Sequence, residues 1–528
     1  MSAFPPYAFS GSQLRSLAPK FSRRGFIGGA AAVTAALPAA PLWADTPAGA
    51  APADVAAIGL SGKQVTLTAA DIKDLRAGFG GQVLLAQDGG YDQARRVWNG
   101  AFDRHPALVA RAATTADVAR AVSFARAHGL LTAVKGGGHS ISGQSTCEGG
   151  MMIDLGQMKD VQVDRAARLA KAQGGVLLAD VDARTQQVGL VTPLGTASDT
   201  GIAGLTLGGG QGRLQRTLGL SCDNVHSYEL VTADGKVLEV SASENPDLFW
   251  ALRGGGGNFG VVTSFEYQLH PLDHPVLAGT RLYPYDKARD VLDAYFELGS
   301  KAPKELSLSG GITVIGPNGA LPPGKYAAIE VFYSGKPADG EPLIAPLSKL
   351  GTPLRDGVSA KPYVLAQLGA TGAAPPALPP GLGVYVKSGF LNSVPDTLVS
   401  EILHVCDNAP PWCQGIGLGA LGGAISQVKP DATAYWNRAA QWDLLVFAAW
   451  MDHSQDEHNA QVMRGLWKTF EPFTKGYYVN TEPSESEQRL RATYGDNYPR
   501  LVQLKGKYDP DNLFRLNANI RPAGRAGS

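Results

Sequence analysis

The sequence predicts an α+β protein with more than one domain, and three observations support this prediction. The chain has 528 residues, which is enough for two or three packed domains. Apolar residues make up 44% and charged residues 18%, an ordinary globular composition. The stretch 103–270 mixes helical and strand patterns, and the chain contains 65 glycines, which favour turns and close backbone contacts.

Local patterns predict the elements of this stretch in chain order. They are a capped helix over 114–130, a short strand running into a glycine turn at 136–138, strands within 149–158 and 161–175, a helix over 177–189, a glycine-rich loop region leading to a hairpin within 192–240, and a closing strand at 261–269. The hairpin turn is Ala233-Asp234-Gly235.

The first fifty residues differ from the rest. Arg23 and Arg24 precede an uncharged run, which resembles a twin-arginine export signal, with cleavage near Ala44 or Ala50. Glycine and proline interrupt the run, so it makes a poor membrane span. We expect 1–50 to be a signal and leader that contacts the export machinery, and the protein to be periplasmic or secreted. The alternative is a disordered N-terminus.

The overall charge is neutral, with 47 basic and 47 acidic side chains. This balance gives no electrostatic reason to expect nucleic acid or an anionic membrane as a partner. We expect a small-molecule substrate, no nucleic acid and no stable membrane association.

Four cysteines are present, and none has the spacing of a metal site. Cys406 and Cys413 flank a short loop that a disulfide would close in an oxidising compartment. Cys147 and Cys222 are expected to be small buried residues. No metal site is predicted.

Three glycines stand directly before His139 in "VKGGGHSISGQ". Glycines let backbone N–H groups approach a ligand closely, since no Cβ intervenes. A histidine behind such a run suits a ligand, a base or a point of covalent attachment. The alternative is a tight turn with a surface histidine.

A second glycine motif is rejected. Gly255, Gly257 and Gly260 satisfy G-x-G-x-x-G, but a nicotinamide-dinucleotide site needs this motif to open a helix. Here it opens the strand-like "VVTSFEYQL", so a Rossmann domain is not expected.

The arrangement resembles the berberine-bridge-enzyme-like flavoproteins of the vanillyl-alcohol-oxidase superfamily. The resemblance rests on "KGGGH", "GGMMIDL", "GLSCDNV", "DLFWALRGGGGNFG", "YYVN" and "YGDNYPRLVQLKGKYDPDNLFRLNANIRP". It implies a two-part PCMH-type FAD-binding domain, formed by 103–270 and the returning C-terminal segment 477–528. It also implies a substrate domain at 271–476, built on an antiparallel sheet backed by helices. Residues 51–102 are left as an N-terminal lead-in.

The resemblance further implies FAD joined covalently through His139 to its 8α-methyl group. The position of a second linking cysteine in many relatives holds Ala197, so a single link is expected. The residues expected to contact FAD are Lys135, Gly136, Gly137, Gly138, His139, Ser140, Ile141, Gly143, Asp199, Thr200, Gly204, Gly208, Gly210, Val262, Tyr478, Asn480 and Asn519.

The activity implied is an FAD-dependent oxidase that removes a hydride from a CH–OH group of a sugar, alcohol or aryl alcohol, or from a CH–NH group, and reduces O2 to H2O2. A dehydrogenase with a non-oxygen acceptor is the alternative. A binding protein without catalysis is a third possibility, which the retention of His139 opposes. In relatives, valine at the position of Thr200 opens an oxygen pocket and a larger residue blocks it. Threonine therefore favours the oxidase.

Two residues, Asp443 and Tyr435, are candidates for the catalytic base. Many relatives use a tyrosine after the asparagine of a Y-x-N-Y motif, where this chain has Thr481. Other members use a carboxylate on the substrate-domain sheet, and Asp443 in "QWDLLVFAAW" lies near that position. Tyr435 is the second candidate. The alternative is that Asp443 faces solvent and pairs with an arginine. The stretch "PDATAYWNRAAQWDLLVFAAWMD" is a candidate substrate wall, with the aromatic residues Tyr435, Trp436, Trp442 and Trp450 and few charges. The alternative is that its Trp residues belong to the core.

Overall fold

The computed structural model describes residues 54–316, 321–368, 381–481 and 486–523. The predicted export signal lies outside these residues, so its prediction stays a prediction. No helix in the described part of the chain is long and apolar enough to cross a membrane.

The first sheet contains four strands in the order β3-β4-β6-β5, and it includes part of the lead-in. Its elements and their surroundings are β1 (Val55–Ile58), β2 (Gln64–Leu67), α1 (Ala69–Ala77), β3 (Gln82–Leu84), α2 (Tyr91–Arg95), β4 (Leu108–Arg111), α3 (Thr115–Ala127), β5 (Thr132–Lys135) and β6 (Met151–Asp154). Strands β4, β5 and β6 are parallel, whereas β3 pairs with β4 in the antiparallel sense. The lead-in is therefore part of the first domain and not a separate segment.

Helix α3 has the capped start and the buried apolar face that its sequence predicts. Thr114 accepts a hydrogen bond from the backbone of Asp117, and the Asp117 side chain accepts one from the backbone of Thr114. This capping box fixes the start of the helix. Val118, Ala121, Val122 and Ala125 form its buried face.

The second sheet has five antiparallel strands in the order β11-β10-β12-β8-β7. The elements of this region are β7 (Val161–Asp164), β8 (Leu169–Gln173), α4 (Leu178–Gln186), β9 (Leu190–Val191), α5 (Ile202–Leu207), α6 (Gln215–Leu218), β10 (Val225–Val231), β11 (Val237–Ser241), α7 (Pro246–Leu252) and β12 (Val261–Gln268). The predicted glycine-rich loop thus contains two short helices, α5 and α6. Strand β12 follows Gly260, which confirms that the G-x-G-x-x-G motif does not open a helix.

The middle of the chain forms an eight-stranded antiparallel sheet in the order β17-β14-β16-β15-β20-β21-β19, with β18 beside β14. Its region comprises β13 (His270–Pro271), β14 (Val276–Pro284), α8 (Ala288–Lys301), β15 (Leu306–Ile315), β16 (Gly324–Tyr333), α9 (Pro337–Ile344), β17 (Arg355–Asp356), β18 (Ser359–Lys361), α10 (Tyr363–Gln367), β19 (Gly383–Leu391), α11 (Leu398–Asn408), β20 (Cys413–Ala420), α12 (Ala424–Gln427), β21 (Trp442–Trp450) and α13 (Asp456–Trp467). The short strand β13 pairs with β9 of the first domain.

Helices α8, α11 and α13 cover one side of this sheet, which we call the outer face. Alternate residues of β21 belong to opposite sides, as strand geometry requires. Leu444 and Val446 pack with the helices on the outer face, whereas Leu445 and Phe447 pack with Ile141 of the first domain. The side that contacts the first domain is the inner face. The predicted antiparallel sheet backed by helices is confirmed.

The C-terminal segment packs against the first domain. Helices α14 (Glu487–Tyr494) and α15 (Tyr498–Tyr508) contribute Leu490, Leu501 and Leu504 to the core around the second sheet. The buried Lys505 ammonium donates to the carbonyls of Asn258 and Phe514 and pairs with Asp509 at 2.6 Å. Because breaking a buried charge pair is costly, this cluster fixes the last segment firmly.

Candidate active site and cofactor cleft

A cleft with a volume of about 220 Å³ lies within the first domain. Its lining comes from four parts of the chain: the glycine turn after β5, the segment that starts α5, the start of β12, and the C-terminal segment. The lining residues include Gly136, Gly137, Gly138, His139, Ser140, Gln144, Thr200, Gly204, Gly257, Val262, Asn480, Phe514, Asn517 and Ala518.

The two glycine-rich segments need their glycines partly for each other. A Cβ on Gly137 would collide with the backbone of Gly201, and a Cβ on Gly201 would collide with Gly137. Gly204 is different, because a Cβ there would meet no atom within 4 Å and would project into open space. The close approach of the two backbones therefore shapes the cleft, and positions such as Gly204 keep it wide.

His139 lies in this cleft with unusual surroundings. Its imidazole stacks on the Trp98 ring with the ring centroids 4.2 Å apart and the planes 23° from parallel. Its Nε2 lies 3.5 Å from a carboxylate oxygen of Asp199, beyond a good hydrogen bond. Both ring nitrogens are buried, and neither has a hydrogen-bond partner among the described residues. The alternative of a surface histidine in a simple turn is therefore wrong.

Other polar atoms in the cleft share this property. Thr200 Oγ1, Ser145 Oγ and Asn517 Oδ1 are buried without partners in the described part of the chain. Leaving a buried polar group unpaired costs free energy, so native sites pair such groups with protein, water or ligand. A row of unpaired donors and acceptors along a wide, glycine-lined cleft fits FAD, which is long and polar at both ends.

Several predicted contact residues lie in the first domain but outside the lining of the cleft. Lys135 donates to the carbonyls of Ala94 and Arg96, and burial lowers its pKa. Ile141 packs against the inner face, and Gly143 is required because a Cβ would enter the Phe102 ring. These residues shape the turn around His139 from behind.

The glycines at 208 and 210 also act through packing. A Cβ on Gly208 would collide with Asn480, and one on Gly210 would collide with Ser221. Asn519, another predicted contact, has a buried Oδ1 without a partner among the described residues.

Tyr478 links the second glycine segment to the C-terminal segment. Its hydroxyl oxygen accepts hydrogen bonds from the backbone N–H groups of Gly210 and Gln211 at 3.1 Å and from Asn480 Nδ2 at 2.9 Å. Burial nevertheless raises the pKa of Tyr478 to about 12. Asn480 lines the cleft, whereas Tyr478 holds the backbone beside it.

Asp443 lies on the inner face of the large sheet. It is 4% exposed, and its Oδ1 has no partner among the described residues. The register places it between Phe390 on β19 and Gly419 on β20. Burial raises the pKa of Asp443 to about 6. The alternative of a solvent-facing, arginine-paired Asp443 is wrong, and the bare Gly419 beside it leaves the carboxyl group without a neighbouring side chain on that strand.

Tyr435 is also buried, next to the second glycine segment. Its hydroxyl oxygen accepts a weak hydrogen bond from Gln211 Nε2 at 3.4 Å. Burial raises the pKa of Tyr435 above the ordinary value for tyrosine. Arg438 lies 5.0 Å from its ring and forms two hydrogen bonds of 2.7 Å with Asp223. This pair fixes the Tyr435 segment against the first domain.

Two further predictions need correction. Trp442 and Trp450 pack on the outer face with the helices, so they belong to the core and form no substrate wall. The possible Cys406–Cys413 disulfide is absent, because both thiols are free and buried. Cys147 and Cys222 are buried, as predicted.

Thr481 donates to the Tyr478 carbonyl and contacts Ser388, so it stabilises the turn.

The sequence did not single out Trp98, Gln144, Asn517 or Gly257 as site residues. Trp98 lies in the lead-in and has no motif around it. Asn517 stands two residues before Asn519, within the C-terminal stretch that carried the resemblance. In the described ranges, no group of three or more His, Cys, Asp or Glu side chains could hold a metal ion.

Comparison with known proteins agrees with this geometry. Residues 106–241 match the family described as FAD binding domain, and residues 477–521 match the family described as berberine and berberine like. An FAD-linked oxidoreductase of Dictyostelium discoideum is 33% identical over 430 residues, which cover 80% of this chain and 91% of that protein.

Two further matches concern nicotine oxidases. (R)-6-hydroxynicotine oxidase of Paenarthrobacter nicotinovorans is 30% identical over 458 residues, covering 84% of this chain and 97% of that protein. The crystal structure of 6-hydroxy-D-nicotine oxidase from Arthrobacter nicotinovorans superposes with a TM-score of 0.75 at 28% identity, over 84% of this chain and 98% of that one.

Proposed function

Since the chain belongs to the berberine-like family of FAD-linked oxidoreductases, we propose that it is an oxidase with FAD attached covalently to His139. It takes a hydride from a CH–OH or CH–NH group of a small molecule and passes the electrons to O2, giving H2O2. The observation that carries the proposal is the His139 imidazole, buried in a glycine-lined cleft with both nitrogens unpaired.

The residues that would hold FAD are those that line the cleft. At the glycines of segments 136–140 and 200–204, no side chain covers the backbone N–H and C=O groups. Asn480 and Asn517 offer amide groups from the C-terminal segment. FAD in this position supplies the hydride acceptor. Every other requirement of the reaction falls on the chain's own side chains.

The proton of the substrate's O–H or N–H group must leave as the hydride is transferred, and we assign its removal to Asp443. A carboxylate needs an ionised form to act as a base, and a raised pKa makes it a stronger one. With a pKa of about 6, Asp443 is mostly ionised at neutral pH. The unpaired Oδ1 on the inner face supports this role.

Thr200 supports the oxidase rather than the dehydrogenase. It lines the cleft, is 8% exposed and has a short side chain. A larger residue here would fill space that O2 would use. The proposed substrates are alcohols, sugars, aryl alcohols and amines. A relative named for the oxidation of 6-hydroxynicotine brings nitrogen heterocycles into the same list.

The location of the protein is a further part of the proposal. Arg23 and Arg24 support export by the twin-arginine route to the periplasm or the medium. This route carries folded proteins, which suits a chain that must bind FAD before it leaves the cytoplasm.

Two measurements test the proposal. The purified protein is precipitated with acid and run on a denaturing gel, where a fluorescent flavin band is expected and a dark band would refute the covalent link. His139→Ala is the matched variant and should give a dark band. The protein is then reduced without oxygen by a panel of alcohols, sugars and amines, and air is admitted. Rapid recovery of the flavin colour with release of peroxide is expected, whereas reduced flavin that persists in air would favour the dehydrogenase.

A further inference from the structure

A carboxylate stands beside the histidine of the cofactor cleft. Asp199 Oδ1 lies 3.5 Å from His139 Nε2, and the Asp199 side chain is 35% exposed while that of His139 is 7% exposed. Burial opposes ionisation of Asp199, but the nearby His139 outweighs it, and the pKa of Asp199 is lowered overall. Asp199 is therefore a fixed negative charge at one edge of the imidazole.

The other features around His139 fix the plane of its ring. Trp98 stacks on the imidazole, and the backbone N–H of Trp98 donates to the Gly138 carbonyl at 2.9 Å. The next residue, Asn99, is fully buried and bonds to the carbonyls of Ile141 and Val384. Trp98 is thus anchored to both domains, and tilting the His139 ring out of its plane would break the stack.

With the ring plane fixed, the two nitrogens have different roles. Nε2 is the nitrogen that lies 3.5 Å from the carboxylate, and Nδ1 is buried and without a hydrogen-bond partner among the described residues. A carboxylate near one imidazole nitrogen favours the tautomer with the proton on that nitrogen. The lone pair then lies on the opposite nitrogen, Nδ1.

We propose that Asp199 is a positioning residue for attachment of the cofactor: it holds the proton of His139 on Nε2, so that Nδ1 is the nitrogen that bonds to FAD. This inference rests on the proposed covalent link. It assigns a role to a side chain that lies beside His139 and is not among the residues that line the cleft.

The bond-forming reaction balances with O2 as the oxidant. An N–C bond forms between Nδ1 and the 8α-carbon, which gives up one hydrogen. The imidazole gives up the Nε2 proton, which Asp199 is placed to receive and then release to water, from which O2 takes up its protons. The two hydrogens and the two electrons leave with O2 as H2O2. Asp199 thus assists by orienting the histidine before the bond forms and by accepting its proton afterwards.

The test follows attachment itself and not turnover. Wild-type protein, Asp199→Asn, Asp199→Glu and the control Asp160→Asn are produced with limiting flavin and then incubated with FAD in aerated buffer. Intact mass reports the covalent fraction with time, and the spectrum of the filtered protein reports total bound FAD. Asp160 is exposed and contacts Gln162, far along the chain from either glycine segment, so its variant controls for the loss of one charge.

We expect Asp199→Asn to bind FAD but to form the link at least about tenfold more slowly, as a rise of about 1.4 kcal/mol in the barrier would give. Asp199→Glu should recover most of the rate, and Asp160→Asn should match the wild type. Attachment in Asp199→Asn at the wild-type rate would overturn the role of Asp199. A wild type that never forms the link would instead refute the covalent attachment on which the inference rests.

A second measurement needs no variant and therefore holds even if Asp199→Asn fails to fold. The flavin peptide from digested wild-type protein is examined by NMR to identify the linked nitrogen. A bond at Nδ1 is expected, and a bond at Nε2 would overturn the proposal.

Discussion

The cofactor cleft and the inner face of the large sheet are built in different ways. The cleft owes its shape to backbone, as at Gly137 and Gly201, where any side chain would separate the two segments. The inner face owes its chemistry to single side chains such as Asp443, whose position depends on strand register. The cleft therefore tolerates few changes where its glycines meet other backbone, whereas the inner face depends on the identity of single side chains.

The largest expected effect comes from the inner face. Asp443→Asn should lower the rate of flavin reduction by about a hundredfold or more, the usual scale for loss of a general base, while the flavin spectrum and covalent link are kept. Stopped-flow reduction without oxygen measures the rate. A rate within a few-fold of wild type would remove Asp443 from the mechanism.

The pH dependence sharpens the same comparison. Since only ionised Asp443 can accept the proton, the rate of flavin reduction should fall as the pH drops below about 6 and level off above it. Tyr295 and Tyr435 interact electrostatically with Asp443. Both stay neutral in this pH range because burial raises their pKa values. The Asp443→Asn variant should not show this fall in the rate at low pH. If the variant still shows it, another group is the base.

A smaller effect is expected in the cleft. Thr200→Leu should slow reoxidation by air about tenfold, which corresponds to about 1.4 kcal/mol, because the longer side chain fills space beside the cofactor. The rate of flavin reduction should change little. Thr200→Ser is the matched control and should behave as the wild type. Equal slowing of reduction and reoxidation would show general damage to the cleft.

The smallest effect is expected at Tyr435. Its hydroxyl oxygen accepts one weak bond from Gln211, and its raised pKa makes the phenolate scarce at neutral pH. Tyr435→Phe should therefore keep the rate of flavin reduction within a few-fold of wild type. If this variant is slowed as strongly as Asp443→Asn is expected to be, the assignment of the base moves to Tyr435.

The sequence predicted the cleft better than the inner face for a physical reason. Glycine turns and the capping box at Thr114 are local, so their residues stand together in the chain. Trp98 reaches His139 from another part of the fold, and only tertiary contacts bring them together. Trp442 and Asp443 are adjacent in sequence, yet they lie on opposite faces of β21. The sequence motif alone does not say which of the two faces a given residue joins.

The sequence patterns also did not predict helix α5 in the glycine-rich region. Helix α5 carries Gly204 within six residues, where helix propensity is low. It forms because Ile202, Leu205 and Leu207 are buried in the core around the second sheet, so packing outweighs propensity.

The position of the last lining residues matters for shortened chains. Phe514, Asn517 and Ala518 form one wall of the cleft, and Lys505 secures this wall through Asn258 and Asp509. The described strands of the large sheet all precede residue 451, so removing the wall removes none of them. A chain truncated before residue 514 should therefore lack a competent cofactor site even where its large sheet has formed.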